Sequence, residues 1–279
     1  MDSTKLKLIA NELRKKIILS LENAKSGHTG GALGLADLFA VLYFEVANIS
    51  KENILKPSRD YIFLSNGHTC PVLYATLAQK GIITDKELMT LRKLGSRLQG
   101  HPHVGVLPGV ENSGGPLGQG ISQAVGCAVA LKRDQKKNKV FCFVGDGELE
   151  EGQCWEAMLF ASKEQCDNLI VIVDRNNMQI DGTVQEVAHL FPLGKKFAAF
   201  GFHVIHLDGN NIFQIRQAFE YAQTIGKPVV LIARTIPGKG VSFMEGDYHW
   251  HGKVPTADEA KKAISELEKI DIQLLGGEK

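Results

Sequence analysis

The feature that most constrains this chain is a change of rhythm at its midpoint. From residue 140 onward, four short apolar runs alternate with stretches at helical spacing. The runs are Val140–Val144, Leu169–Val173, His203–Leu207 and Val229–Ala233, and the helical stretches include Cys154–Glu164 and Phe213–Thr224. A strand covered on both faces is apolar throughout, and parallel strands need crossovers, so the pattern predicts a parallel sheet between helical layers. The first half adds a strand at Tyr61–Ser65 and helices over Leu6–Ala24, Leu33–Ala47, Leu73–Lys80, Asp85–Leu94 (Thr84 as N-cap) and Gln119–Lys132. A glycine- and proline-marked loop spans Gly95–Gly118, Asp258–Lys269 is a charged terminal helix, and residues 270–279 are expected to fray. The fold class that follows is α/β, a doubly wound, mainly parallel sheet with helices on both faces.

At 279 residues the chain has room for one large domain or two small ones. It carries no internal repeat or low-complexity linker, so residues 1–279 are read as a single domain. The net charge is +1, from 32 basic and 31 acidic residues, which argues against broad capture of nucleic acid or an acidic membrane surface. No run approaches the roughly 18–20 apolar residues of a membrane span, and Met1–Lys16 lacks the uninterrupted apolar core of a signal peptide. The five cysteines (Cys70, Cys127, Cys142, Cys154, Cys166) are odd in number and form no CxxC pair. That argues against a disulfide framework or structural zinc and for a reducing, cytoplasmic location.

In doubly wound sheets, ligands sit beyond the carboxyl ends of the strands. The run Val140–Val144 is followed by Gly145-Asp146-Gly147-Glu148-Leu149-Glu150-Glu151-Gly152. A dinucleotide turn would read GxGxxG and hold a pyrophosphate on backbone amides. Here an acid separates the glycines and further acids follow, so a bare diphosphate would be repelled. A divalent cation held by Asp146 reverses that argument by bridging carboxylate and phosphate oxygens. The next strand runs into Asp174-Arg175-Asn176-Asn177-Met178. Adjacent parallel strands end side by side, so Asp146 and Asn176, 30 residues on, could reach one ion. A lone GDG is often only a turn; the pairing with Asn-Asn is the informative part.

This spacing resembles the thiamine diphosphate-binding motif, and other segments narrow the resemblance to the transketolase family. They are Ser26-Gly27-His28-Thr29-Gly30-Gly31, Leu64-Ser65-Asn66-Gly67-His68, Gly100-His101-Pro102, Gly114-Gly115-Pro116-Leu117-Gly118-Gln119-Gly120, Ile180-Asp181-Gly182, Pro237-Gly238-Lys239-Gly240 and His251-Gly252. They run in the family's order from about residue 20 to 255. The resemblance is to the N-terminal, diphosphate-binding portion, and implies the thiamine diphosphate-binding fold of the PP type. The family's pyrimidine-binding domain and its catalytic glutamate lie in a second portion. The resemblance therefore implies the N-terminal subunit of a split transketolase, with a C-terminal partner subunit in an α2β2 assembly and the break near Gly276–Lys279.

The resemblance also implies roles. Asp146, the Asn176 side chain and the Met178 carbonyl would hold Mg²⁺, with Ca²⁺ or Mn²⁺ as substitutes. His68, Gly115, Leu117, Gly147, Asn176, Ile180 and His251 would contact thiamine diphosphate. His28 and His251 would remove a hydroxyl proton, and His101 would meet the donor sugar's first hydroxyl. Six of the nine histidines lie in Gly- or Pro-marked segments (His28, His68, His101, His103, His249, His251), where imidazoles can move protons near neutral pH. Glu151 and Glu156 match glutamates at the family's subunit interface, with a solvated acidic helix face as the alternative. For Asn177 a turn role and a ligand role stand level, and for Ile180 plain core packing is the competitor. Cys154 and Cys166 are read as small buried apolar residues.

The implied reaction moves a two-carbon ketol unit from a ketose phosphate to an aldose phosphate. Three alternatives remain open: a deoxyxylulose-phosphate synthase-like or oxoacid dehydrogenase subunit, a transketolase variant for unusual sugars, and a non-catalytic cofactor-binding subunit.

Overall fold

The computed structural model describes residues 1–276. Its strands are β1 (Tyr61–Leu64), β2 (Val140–Gly145), β3 (Leu169–Arg175), a short antiparallel pair β4 (Met178–Gln179) and β5 (Gly182–Thr183), β6 (His203–Asp208) and β7 (Val229–Arg234). The main sheet has the order β1-β2-β3-β7-β6 and every pairing in it is parallel. The helices are α1 (Ser3–Ala24), α2 (Gly30–Gly34), α3 (Ala36–Val41), α4 (Cys70–Gln79), α5 (Asp85–Leu88), α6 (Gln119–Arg133), α7 (Gly152–Lys163), α8 (Val184–Val187), α9 (Leu193–Ala199), α10 (Ile212–Ala222) and α11 (Ala257–Gly276).

The period-2 alternation of the strands divides their side chains between two cores. Phe141, Phe143, Ile170, Ile172, Leu231 and Ala233 pack on one face with α1, α3, α4, α10 and α11. Cys142, Val144, Val171, Val173, Val230 and Ile232 pack on the other with α6, α7 and α9. All twelve are buried; the larger ones contribute about 1.5–3 kcal/mol each. Both faces being covered explains why the strands are uninterrupted apolar runs. It also leaves the carboxyl ends of β1, β2, β3 and β7 as the place where polar loops converge.

The expected strands are all present, and three helix expectations are corrected. The helix read over Leu33–Ala47 begins at Gly30 and is broken into α2, α3 and a π turn at Leu42–Val46. The one read over Asp85–Leu94 stops at Leu88, where the bonding tightens to turns (Thr90 N–H to Glu87 O at 2.8 Å, Leu91 N–H to Leu88 O at 3.2 Å) before Arg92 takes a left-handed φ of 58°; Thr84 caps it as expected, accepting from the Glu87 N–H at 3.1 Å. The fraying expected from residue 270 does not occur through Gly276, where α11 continues. There α1 supplies polar partners: Asn11 Nδ2 donates to Leu267 O and Asp271 Oδ1, each at 2.7 Å, and Lys15 pairs with Asp271 at 2.7 Å. The rest of that expectation, residues 277–279, lies outside the described residues. Among the described residues no helix is long and apolar enough to cross a membrane.

Candidate active site

At the carboxyl end of β2, Asp146 is buried and bonds in two directions. Oδ1 accepts from the Gly147 N–H at 3.0 Å, and Oδ2 accepts from the Asn177 N–H at 2.6 Å. The strand-end turns after β2 and β3 are thereby locked together, as the parallel pairing of Gly145 with Asp174 requires. Asn176 Oδ1 accepts from the Met178 N–H at 2.8 Å, and its Nδ2 donates to Asp174 Oδ2 at 3.0 Å. Asp174 also accepts from the Thr235 hydroxyl at the end of β7. Burial and the nearby Asp174 carboxylate push Asp146 up to about 7; burial pushes Asp174 up to about 6. A divalent cation reverses this logic, since it favours the ionised form of the carboxylates around it.

Four histidines face this pair across the cavity. His28 lies between α1 and α2, His68 follows β1, His101 is in the long loop before α6, and His251 is in the loop after β7. The His28 ring centroid stands 5.2 Å from His68, 6.2 Å from His101 and 5.8 Å from His251, and His68 is 5.2 Å from His251. Burial, followed by the neighbouring histidines, depresses His68 to about 3. Burial, then His251, Arg92 and His101, depresses His28 to about 4. Burial also lowers His101 and His251. All four are therefore neutral at pH 7, the form in which an imidazole accepts a proton.

The cavity between these groups measures about 390 Å³, and its lining contains every expected site residue except Glu156. His28, His68, His101, His251, Gly115, Leu117, Asp146, Gly147, Glu151, Asn176, Met178 and Ile180 all reach it. Glu156 is exposed on α7 away from the cavity wall. Two glycine positions bring the loops together here. A Cβ on Gly67 would lie 2.8 Å from Gly114 Cα, so the turn after β1 and the long loop meet backbone to backbone. Gly115 holds a φ of 120°, open to glycine but strained for other residues.

Several polar atoms here are buried without partners: His28 Nδ1, both side-chain polar atoms of Asn66, and Asn177 Oδ1. Buried polar groups in folded proteins are ordinarily hydrogen-bonded, so a cavity ringed by unpaired ones fits a polar, anionic ligand with a hard cation. Among the described residues no group of three His, Cys, Asp or Glu side chains is placed to hold a metal. The set expected here instead combines one carboxylate, one amide oxygen and one carbonyl, which suits Mg²⁺.

Comparison with known proteins decides the family. The description "Transketolase, thiamine diphosphate binding domain" matches residues 5–268. This chain belongs to the transketolase family. It is 42% identical over 261 residues to the 6-deoxy-6-sulfo-D-fructose transketolase subunit SqwG of Clostridium sp. (strain MSTE9), covering 93% of this chain and 95% of that protein. It is 41% identical to an apulose-4-phosphate transketolase subunit from Actinobacillus succinogenes, covering 91% of this chain and 92% of that protein. Human transketolase is 36% identical over 94% of this chain, which spans 42% of the human protein. The crystal structure of Campylobacter jejuni transketolase superposes with a TM-score of 0.91 at 34% identity, covering 98% of this chain and 46% of that one. The chain thus spans under half the length of full transketolases and nearly all of the two transketolase subunits.

Within this transketolase domain the structure adds residues that sequence reasoning assigned no role. Glu148 stands in the sequence only as part of an acidic run. It is buried and ties the ends of β1 and β2 to the start of α6, accepting from the Ser65 hydroxyl, from the Gly118 N–H at 2.8 Å and from the Gly145 N–H at 3.0 Å. Arg92 joins the His28 turn to the His101 loop, donating to Ser26 Oγ at 2.9 Å and to Gly100 O at 3.2 Å. Nothing local in the sequence marks Arg92; an acid closing an apolar strand does mark Asp174. His103 and His249 lie off the cavity, bonded to Ser113 and Asp247 respectively. Cys154 is free and buried, its thiol pushed up to about 12 mainly by burial, as expected for a packing residue.

Proposed function

We propose that this chain is the diphosphate-binding subunit of a two-subunit transketolase, moving a two-carbon ketol unit between sugar phosphates with a C-terminal partner subunit. The observation that carries the reading is the cluster of four neutral histidines set against the locked Asp146–Asn177 turn pair at the strand ends.

Asp146, the Asn176 amide oxygen and the Met178 carbonyl would hold Mg²⁺, and Ca²⁺ or Mn²⁺ could replace it. Gly147 presents backbone with no side chain to the cavity, and His68 and His251 offer N–H donors to the diphosphate. Gly115, Leu117 and Ile180 flank the ring-binding side; Ile180 is 69% exposed, which argues against plain core packing. When bound, thiamine diphosphate supplies the nucleophilic carbon and the electron sink that carbon–carbon cleavage of a ketose requires. His28 and His251 are uncharged at pH 7 and so can take the proton from the hydroxyl on the carbon being released, returning one when the acceptor adds. His101, on the exposed side, can donate to the donor's first hydroxyl.

The partner is inferred from two things. The relatives named as subunits match this chain over 95% and 92% of their own length. The helix α7 also presents large apolar side chains, Leu159 at 63% and Phe160 at 42% exposed, of the kind that mark association surfaces. Glu151, which lines the cavity, and Glu156, exposed on α7, would lie at the interface of the α2β2 assembly. Five free cysteines and the balanced charge fit a cytoplasmic enzyme. A variant acting on unusual sugars is the second reading, favoured by the substrates in the relatives' names, a sulfo sugar and apulose 4-phosphate.

The test is thiamine diphosphate- and Mg²⁺-dependent two-carbon transfer, from xylulose 5-phosphate and from those two sugars, by the chain alone and mixed with its partner. Transfer only in the mixture supports the reading. A mixture that binds no thiamine diphosphate would refute it.

A further inference from the structure

One polar side chain in the cavity has no role in the reaction proposed for this site. Asn66 follows β1 and is fully buried, yet neither Oδ1 nor Nδ2 has a partner. The described residues include five buried asparagines: Asn11, Asn66, Asn112, Asn138 and Asn168. The other four each make a side-chain hydrogen bond; Asn112, for example, bonds both N–H and C=O of Leu64 at 3.0 Å. Asn66 alone makes none.

Its backbone, in contrast, is fixed. The Gly67 N–H donates to Ser65 O at 2.8 Å across a residue at φ −73° and ψ 62°, which is an inverse γ-turn centred on Asn66. Asn66 O accepts from the Thr69 N–H at 3.0 Å and from the Thr69 hydroxyl at 2.9 Å. The backbone that carries the amide is thus fixed in the cavity wall, while the amide's own hydrogen-bonding capacity is unspent. A Cβ built on Gly145 would stand 3.9 Å from Asn66 Cβ, so the amide lies beside the turn that carries Asp146 and Gly147.

The surroundings select what it can bind. Asp146, Glu148 and Asp174 are buried carboxylates lining the same cavity, so a further uncharged donor there helps to offset their repulsion of an anion. A carboxamide gives an anion two N–H donors and adds no charge to compete for those carboxylates. We propose that the Asn66 side chain is a direct binding group for the cofactor's diphosphate, with Nδ2 donating to a phosphate oxygen. This rests on the thiamine diphosphate reading given above. With the backbone already fixed by the γ-turn and the side chain buried, only the side-chain torsions remain to be ordered by a ligand, which is how preorganised sites gain affinity.

The experiment compares wild type, Asn66→Ala and Asn66→Asp, each as the full chain mixed with its partner subunit. Calorimetry measures affinity for thiamine diphosphate and for inorganic pyrophosphate, both with Mg²⁺, and thermal unfolding is followed without ligand. Asn66→Ala should lose at least tenfold in affinity for both ligands while the unliganded Tm stays level or rises, because a buried unpaired amide is removed. Asn66→Asp, which places a carboxylate against the anion, should lose at least a hundredfold. Three results would overturn the proposal. They are unchanged affinity in Asn66→Ala, equal or tighter binding in Asn66→Asp (Oδ1 facing the cation instead), or an unliganded Tm that falls in step with affinity (a structural role). If wild type itself fails to bind thiamine diphosphate, the underlying reading falls and takes this proposal with it.

Discussion

Asp146 and Asn177 meet across two strand ends, the Asn177 N–H donating to Asp146 Oδ2 at 2.6 Å. Asn177 adopts a left-handed φ of 59° to do so, a conformation asparagine tolerates better than most residues. One carboxylate thereby sets the turn that displays Asn176 and Met178. Asp146→Ala should abolish Mg²⁺-dependent binding of thiamine diphosphate, lowering affinity by more than about a hundredfold, in line with roughly 3 kcal/mol for a charged partner lost. Calorimetry with and without Mg²⁺ checks this, and wild-type affinity in the variant would contradict the metal assignment.

The histidines should separate by role. His28→Ala should cut kcat by about 10²–10⁴, the usual worth of a general base, with cofactor affinity little changed. His68→Ala should weaken cofactor binding by about ten- to a hundredfold. Steady-state kinetics and equilibrium binding on both variants decide the matter; equal losses of both quantities in both variants would count against the division of labour.

The depressed pKa of His28 has a stability consequence. Its folded value is about 4, whereas a free imidazole titrates near 6.5. Between those values the unfolded chain binds more protons than the folded one. The stability owed to neutral His28 is therefore complete above about pH 6.5 and is lost as pH falls towards 4. Asp146 and Asp174 shift in the opposite sense, but they are common to wild type and variant and cancel in the comparison. His28→Gln should flatten the fall in Tm of the cofactor-free chain between pH 7 and pH 5. Parallel Tm profiles would show that His28 carries no such linkage.

Glu148 is the structural tie beneath the site. Glu148→Ala leaves the Gly118 and Gly145 amides and the Ser65 hydroxyl without their acceptor, and should destabilise the fold by on the order of 3 kcal/mol. Urea unfolding measures it, and a loss under about 1 kcal/mol would mean that the three donors find other partners.

The apolar rim offers a separable test of assembly. Phe160→Asp on α7 should leave the Tm of the isolated chain nearly unchanged, since the side chain is 42% exposed, while preventing co-purification with the partner subunit. Undiminished co-purification would move the interface elsewhere.

The sheet was legible because strands buried on both faces must be apolar throughout, and the two cores divide their residues as that requires. Helix ends were read less well where the determinant is remote. Beyond Leu88 the chain runs through tight turns to Arg92, which leaves the helical path and bonds Ser26 and Gly100, remote in sequence. The extension of α11 to Gly276 depends on Asn11 and Lys15 of α1. The site was legible as far as motifs carry it: twelve expected residues share one cavity, and Glu156 falls outside it. Glu148 and Asn66 stood within quoted motifs yet had no role, because burial and unmet hydrogen bonds belong to the fold and leave no local trace. The β4–β5 pair and the capping box at Thr183 and Glu186 were likewise unforeseen.

The measurement that tests the account most directly is a crystal structure of the chain with its partner subunit, thiamine diphosphate and Mn²⁺, with Mn²⁺ located by anomalous scattering. The account predicts one anomalous peak coordinated by Asp146, the Asn176 side chain and the Met178 carbonyl, with the diphosphate between it and His68. A bound cofactor whose metal lies away from Asp146 and Asn176 would contradict it.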